Sequence, residues 1–362
     1  MKQHIFLCES KFALFSMLIV KTTMFKDEKF DVLFTDTNDY GDIIDKLRTI
    51  GIFQTVCQMS SKDIVTSINQ SQNRTEKAFS PEKYLPIPDL ILNQQYTDLW
   101  INLDTMCPKL FYYALVNIGN TLNVHFIDEG NSSYFVDLLR CNTDYIKHDF
   151  WKEKKFSKNC IDTYLFMPEL YHGGNSGIIA KKIAYSSLSG VTTLLDLFGY
   201  DKPPSEKYIF FEQCFAEDGY YLDDLTLVDE IANVVGKENL LIRLHPRSAN
   251  DRFSPFGFHT LASNSALWET SLIYGGYKNK IFISVDSSAI YSRKKIINED
   301  GYIIILNKIA WGNYRNKKDK KSDEYISEML ERCNADKIYA FQPYEKKELK
   351  LILNYMEKDN AL

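Results

Sequence analysis

Two successive series of short apolar runs, each run followed by a stretch with helical spacing, restrict this chain to a helix-covered parallel sheet formed twice. In the first series His4–Cys8 (HIFLC) reads as strand and Lys11–Thr23 as helix. Phe30–Thr35 (FDVLFT) is strand and Tyr40–Ile50 has helical apolar spacing. Tyr96–Asn102 and Asn123–Ile127 read as strands around a helix at Lys109–Ile118. In the second series Tyr208–Glu212, Leu240–Leu244, Lys280–Val285 and Tyr302–Leu306 are the strand-like runs. Leu225–Val235, Ala266–Tyr274 and Ser287–Lys294 predict the helices between them. Leu349–Met356 reads as an amphipathic closing helix, expected to return to the first half. The polar, proline-paired stretch Asp201–Lys207 suits a linker, so the halves are placed at 1–200 and 201–362. Cys141–Tyr200 shows no clear alternation beyond a turn cluster at His172–Gly177, and the lysine-rich Trp311–Glu324 reads as a solvated loop. No internal repeat is visible.

A chain of 362 residues exceeds what one core usually holds, which agrees with two domains. Its 45% hydrophobic and 25% charged residues are those of a folded globular protein. A formal net charge of -5 disfavours nucleic acid as a partner, although a local pair such as Arg243 and Arg247 can still meet an anion. The 23 tyrosines and 23 phenylalanines read first as core. Seven scattered cysteines, with no CxxC pair, predict free thiols and a reducing, cytoplasmic setting. Ile5–Val20 is apolar but broken by Glu9, Ser10 and Lys11, so it reads as strand, turn and buried helix rather than as a leader or anchor.

Open parallel sheets bind ligands at the carboxyl ends of their strands, and four such ends carry chemistry. Asp128-Glu129-Gly130 puts two carboxylates and a glycine free to take positive φ after a strand: a polar turn, or a carboxylate held at a cleft floor. Glu217-Asp218-Gly219 follows Phe210–Phe215. Crowded acids there can raise one another toward the range useful for a base, or Asp218 simply caps the next helix. His245-Pro246-Arg247 ends another strand, where a histidine can protonate or hydrogen-bond a leaving phosphate and arginine can hold anionic groups. Ser287-Ser288 opens a predicted helix, a place for phosphate or a plain cap. Neither a GxGxxG nor a P-loop pattern occurs, and Asp36–Asp39 makes no metal motif.

Together Asp128-Glu129-Gly130, His245-Pro246-Arg247 and Ser287-Ser288 resemble the acidic-Gly, His-Pro and Ser-Ser motifs of bacterial sialyltransferases. The fuller resemblance is to glycosyltransferase family 52, the lipooligosaccharide sialyltransferase family. It extends to Phe6–Val20, Phe210–Gly219 and Ser265–Tyr274. It implies a GT-B fold of two Rossmann-like domains with a cleft between them, the nucleotide sugar in the second. It implies transfer of sialic acid from CMP-sialic acid to a glycan hydroxyl with inversion, without metal or other cofactor. On matching positions His245 becomes the acid, Ser287 and Ser288 the phosphate ligands, and Glu269 the ribose ligand. Arg247 and Gly130 join the substrate-binding set. The base falls on Asp218, with Glu217 as the near alternative and Asp128 and Glu129 also open. The acceptor is a capsular polysaccharide or a lipooligosaccharide. Peripheral membrane association and a homodimer are both compatible with the family. The rivals are a GT-B enzyme using another nucleotide sugar and a non-catalytic nucleotide- or sugar-binding relative.

Overall fold

The computed structural model describes residues 2–61, 80–103, 105–139, 156–173, 177–184, 191–215, 219, 222–248, 250–262, 266–311 and 320–359. It divides into two units, Met1–Thr193 and Leu194–Leu362, each with its own sheet.

The first unit is built on seven strands: β1 (Gln3–Cys8), β2 (Lys29–Thr35), β3 (Val56–Met59), β4 (Asp98–Ile101), β5 (Asn123–Ile127), β6 (Cys160–Leu165) and β7 (Ile179–Lys182). Their order is β3-β2-β1-β4-β5-β6-β7, and every neighbouring pair is parallel. The helix Lys11–Thr23 follows β1 as expected. Ser10 caps it, its Oγ accepting from the Ala13 amide at 3.0 Å. On one face Ile5, Leu7, Leu99, Ile101, Val124 and Phe126 pack with Leu110, Phe111 and Ala114 of the helix Met106–Asn117.

The second unit repeats the scheme with six strands: β8 (Tyr208–Phe211), β9 (Leu240–Arg243), β10 (His259–Leu261), β11 (Ile281–Ser284), β12 (Gly301–Ile305) and β13 (Ile338–Phe341). The order is β10-β9-β8-β11-β12-β13, again parallel throughout. Both sheets therefore reverse their direction of growth beside their first strand, between β1 and β4 and between β8 and β11. These are the topological switch points at which doubly wound sheets open a crevice.

Four sequence expectations change here. The closing helix was given to the first half. It runs Lys346–Asp359, and its Leu349, Leu353 and Met356 instead join the core of the second unit, with Lys207 and Tyr208 bonding to Glu357. Asp201–Lys207 is no slack linker. Asp201 accepts from Arg243 at 2.8 Å and from the Tyr277 hydroxyl at 3.0 Å, and Lys280 holds the Glu206 carbonyl at 2.9 Å. The stretch after Ser287 is not an α-helix but a 3-10 turn, Ser288–Tyr291, leading into a π-turn, Arg293–Ile297. The π-turn lets Arg293 bury its guanidinium under the sheet. There it donates to the Lys280 and Tyr277 carbonyls and stacks 3.9 Å over Phe282. The lysine-rich stretch is partly helical, since a helix begins at Lys320.

Candidate active site

In the first unit the carboxyl ends of β1, β4 and β5 bring Glu9, Ser10, Asn102, Asp128 and Glu129 together. The two acids of the Asp128-Glu129-Gly130 turn have different work. The Asp128 carboxylate is fully buried and accepts from the Gly130 amide at 2.9 Å, the Phe166 amide at 3.3 Å and the Tyr134 hydroxyl. Gly130 sits at φ 118°, the left-handed region that the turn requires. Asp128 thus builds the turn, and the turn presents Glu129.

Glu129 Oε2 accepts from Ser10 Oγ at 2.6 Å and Asn102 Nδ2 at 3.0 Å, and its amide donates to Ser133 Oγ at 2.9 Å. Burial pushes its carboxyl up to about 7, with the Asp128 charge adding, against the pull of Ser10 and Asn102. Glu9, next along from β1, is pushed up to about 8 by burial and then by the Glu129 charge. Sequence reasoning had treated Glu9 only as a break in an apolar run. Its signal lies in topology, because β1 and β5 flank β4. Asn102 is 2% exposed, and among the described residues its Oδ1 has no partner.

In the second unit the ends of β9, β8 and β11 lie side by side. Gln213, after β8, accepts from the Asp286 amide at 2.7 Å across the switch point. Ser284 Oγ donates to the Phe211 carbonyl and accepts from the Ser287 amide at 3.1 Å. Ser287 Oγ caps the following turn at Ala289, at 3.3 Å, and Ser287 and Ser288 are half-buried. Glu269, on the helix Trp268–Tyr274, is buried and accepts from Ser292 Oγ at 2.7 Å. Burial raises its pKa against that bond and the Arg243 and Lys295 charges.

The His245-Pro246-Arg247 loop is held from beneath. Glu212 accepts from the His245 amide at 2.9 Å, Ser248 Oγ at 2.6 Å and Arg252 Nε at 3.0 Å. Arg252 in turn forks onto Asp224, both bonds at 2.6 Å. Glu212 and Arg252 were not picked out from sequence, since their partners lie far along the chain. His245 Nδ1 lies 2.9 Å from Cys214 Sγ and accepts from the Arg247 amide at 3.1 Å. Arg247 is exposed, whereas Arg243 is not the anion ligand expected of it. It is buried and spent on Asp201 and the Ala266 carbonyl, over the Trp268 ring. Glu217 and Asp218 lie outside the described residues. The cap of the helix Asp224–Val235 is Asp223, whose side chain accepts from the Thr226 amide.

Among the described residues no group of three or more His, Cys, Asp or Glu is placed to hold a metal ion, and no helix is long and apolar enough to cross a membrane.

No family model and no curated protein matches the sequence. Solved structures do match its fold. The glycotransferase of kitacinnamycin aligns over 99% of this chain and 90% of its own, with a TM-score of 0.51 at 10% identity. An Arabidopsis thaliana UGT complexed with UDP aligns over 98% of this chain and 89% of its own, with a TM-score of 0.52 at 9% identity. The fold is GT-B. At such identities the likeness speaks for the architecture, two Rossmann-like domains, and for nothing finer.

Proposed function

We propose that the chain transfers a sugar from a nucleotide donor to a glycan hydroxyl with inversion, and that the donor is CMP-sialic acid. One observation carries the reading of transfer. In a GT-B chain, both switch points are lined with complementary chemistry: acids pushed toward neutrality in the first unit, and a histidine, hydroxyls and an exposed arginine in the second. Family resemblance supplies the donor. Ser287, Ser288 and Arg247 hold its phosphate and carboxylate, Glu269 faces the ribose, and His245 meets the departing CMP phosphate. Among the described acids Glu129 is suited to take the acceptor's proton. Asp218 is the base that the resemblance implies, and comparing Asp218→Asn with Glu129→Gln decides between them.

The testing experiment is hydrolysis of CMP-sialic acid without acceptor, run beside a thermal-shift panel of CMP, UDP, GDP and ADP. Release of sialic acid and stabilisation by CMP above the others are expected. Activity is expected to survive excess EDTA, and recovery only on adding Mg²⁺ or Mn²⁺ would sink the metal-free route. A second reading, transfer from a UDP-sugar, is favoured by the Arabidopsis neighbour complexed with UDP. Stabilisation by UDP alone would select it.

A further inference from the structure

We infer that Cys214 is a positioning residue which, with the Arg247 amide, fixes His245 as an Nε2–H donor, so that the ring meets the departing phosphate as a neutral hydrogen-bond donor instead of surrendering a proton. This rests on the proposed transfer reaction and refines the part His245 plays in it.

The argument starts from a backbone amide, which can only donate. Because the Arg247 N–H points at His245 Nδ1 from 3.1 Å, that nitrogen must offer a lone pair. Cys214 Sγ, 2.9 Å away on the same nitrogen, can then only be the thiol donating its hydrogen. Two donors converge on Nδ1, and in the neutral ring the proton is left on Nε2. Placing a second proton on Nδ1 breaks both contacts and sets an N–H against an N–H. The loop cannot easily turn away to relieve this, since Glu212 clamps it through the His245 amide and Ser248 Oγ. The charged groups around it among the described residues are Glu212 at the end of β8, Arg252 and Asp224 behind it, and Arg247 on the loop itself. Cys214 is buried, packed between the end of β8 and this loop, with Ser248 Oγ 3.6 Å from its sulfur. A neutral imidazole that stabilises developing negative charge through N–H needs no proton exchange during the reaction.

The test is a two-bond ¹H–¹⁵N spectrum of the full chain labelled with ¹⁵N-histidine, His245 being assigned by its loss in His245→Gln. An Nε2–H tautomer is expected in the unaltered chain. Cys214→Val should lower the excess of that tautomer about fivefold, as loss of one ordinary hydrogen bond implies, and Cys214→Ser should restore it. An Nδ1–H ring in the unaltered chain overturns the inference, as does a Cys214→Val spectrum identical to it. If Cys214→Val does not fold, the unaltered chain and Cys214→Ser still decide. The spectrum needs no donor substrate. A locked Nε2–H ring in a chain that leaves CMP-sialic acid intact would therefore refute the donor assignment and not the lock.

Discussion

Glu129 and Asp128 are neighbours in sequence with opposite fates. Asp128 spends its oxygens on two backbone amides and a tyrosine, while Glu129 keeps a carboxyl held up to about 7 by burial. The ordinary glutamate value is 4.5, so between the two the folded chain binds the extra proton and the unfolded chain does not. Stability therefore falls as pH rises through that window. Glu129→Gln should flatten this fall and raise the thermal midpoint near neutrality. The same change should lower kcat by about 10²–10⁴-fold. Asp128→Asn should instead lower the thermal midpoint, losing about 1–3 kcal/mol by setting an amide donor against donors. A Glu129→Gln chain both less stable and fully active would refute this division of labour. Glu129 was legible because acids followed by glycine end a strand. Glu9 was not, because its importance comes from strand order, which periodicity does not report. Cys214, one of seven expected free thiols, acquires meaning only when the chain brings it to His245.

At the scale of elements, the long apolar strands were readable and the short or polar ones were not. β6 carries Asp162 and β7 carries Lys181 on what is otherwise a strand pattern, so neither announces itself. Their partners lie across the sheet. His125 on β5 bonds Asp162 at 2.6 Å and Asp98 on β4 at 2.9 Å, and Asp162 continues to Lys181 at 2.5 Å. Burial opposes charge on His125, but the bonds to Asp162 and Asp98 outweigh it and raise its pKa above 6.5. The stability this contributes is complete below about pH 6.5 and is lost as pH climbs through the raised folded value. Urea midpoints between about pH 6 and 9 should fall for the unaltered chain and change less for His125→Asn. Equal slopes would remove His125 from the account. In the second unit, Gly301 passes so close to Arg293 that an added Cβ would lie 1.9 Å from Nη1. Gly301→Ala should therefore destabilise by about 1–3 kcal/mol or more, read by denaturation. A neutral result would mean that the buried guanidinium shifts freely. The helix expected after Ser287 is replaced by turns around the same side chain, and nothing in the run Arg293-Lys294-Lys295 announces that Arg293 is wholly buried.

For the whole molecule, repetition of the alternating pattern identified two parallel sheets, and the fold adds that both follow one order. Among the described residues the first sheet ends at β7, a strand exposed at three of its four positions, with Ile179 at 62% and two lysines. An open strand edge is a template on which another chain can polymerise. Lys181 is tethered back to Asp162, but Lys182 is exposed, and a second copy approaching in register would meet like charge. Lys182→Val should leave the thermal midpoint nearly unchanged while shortening the lag before light scattering rises at high concentration. An unaltered lag would show that something else guards this edge. With a shortened lag, the lysine acts on colloidal behaviour in a crowded solution, a property to which neither the fold nor the proposed chemistry makes any reference.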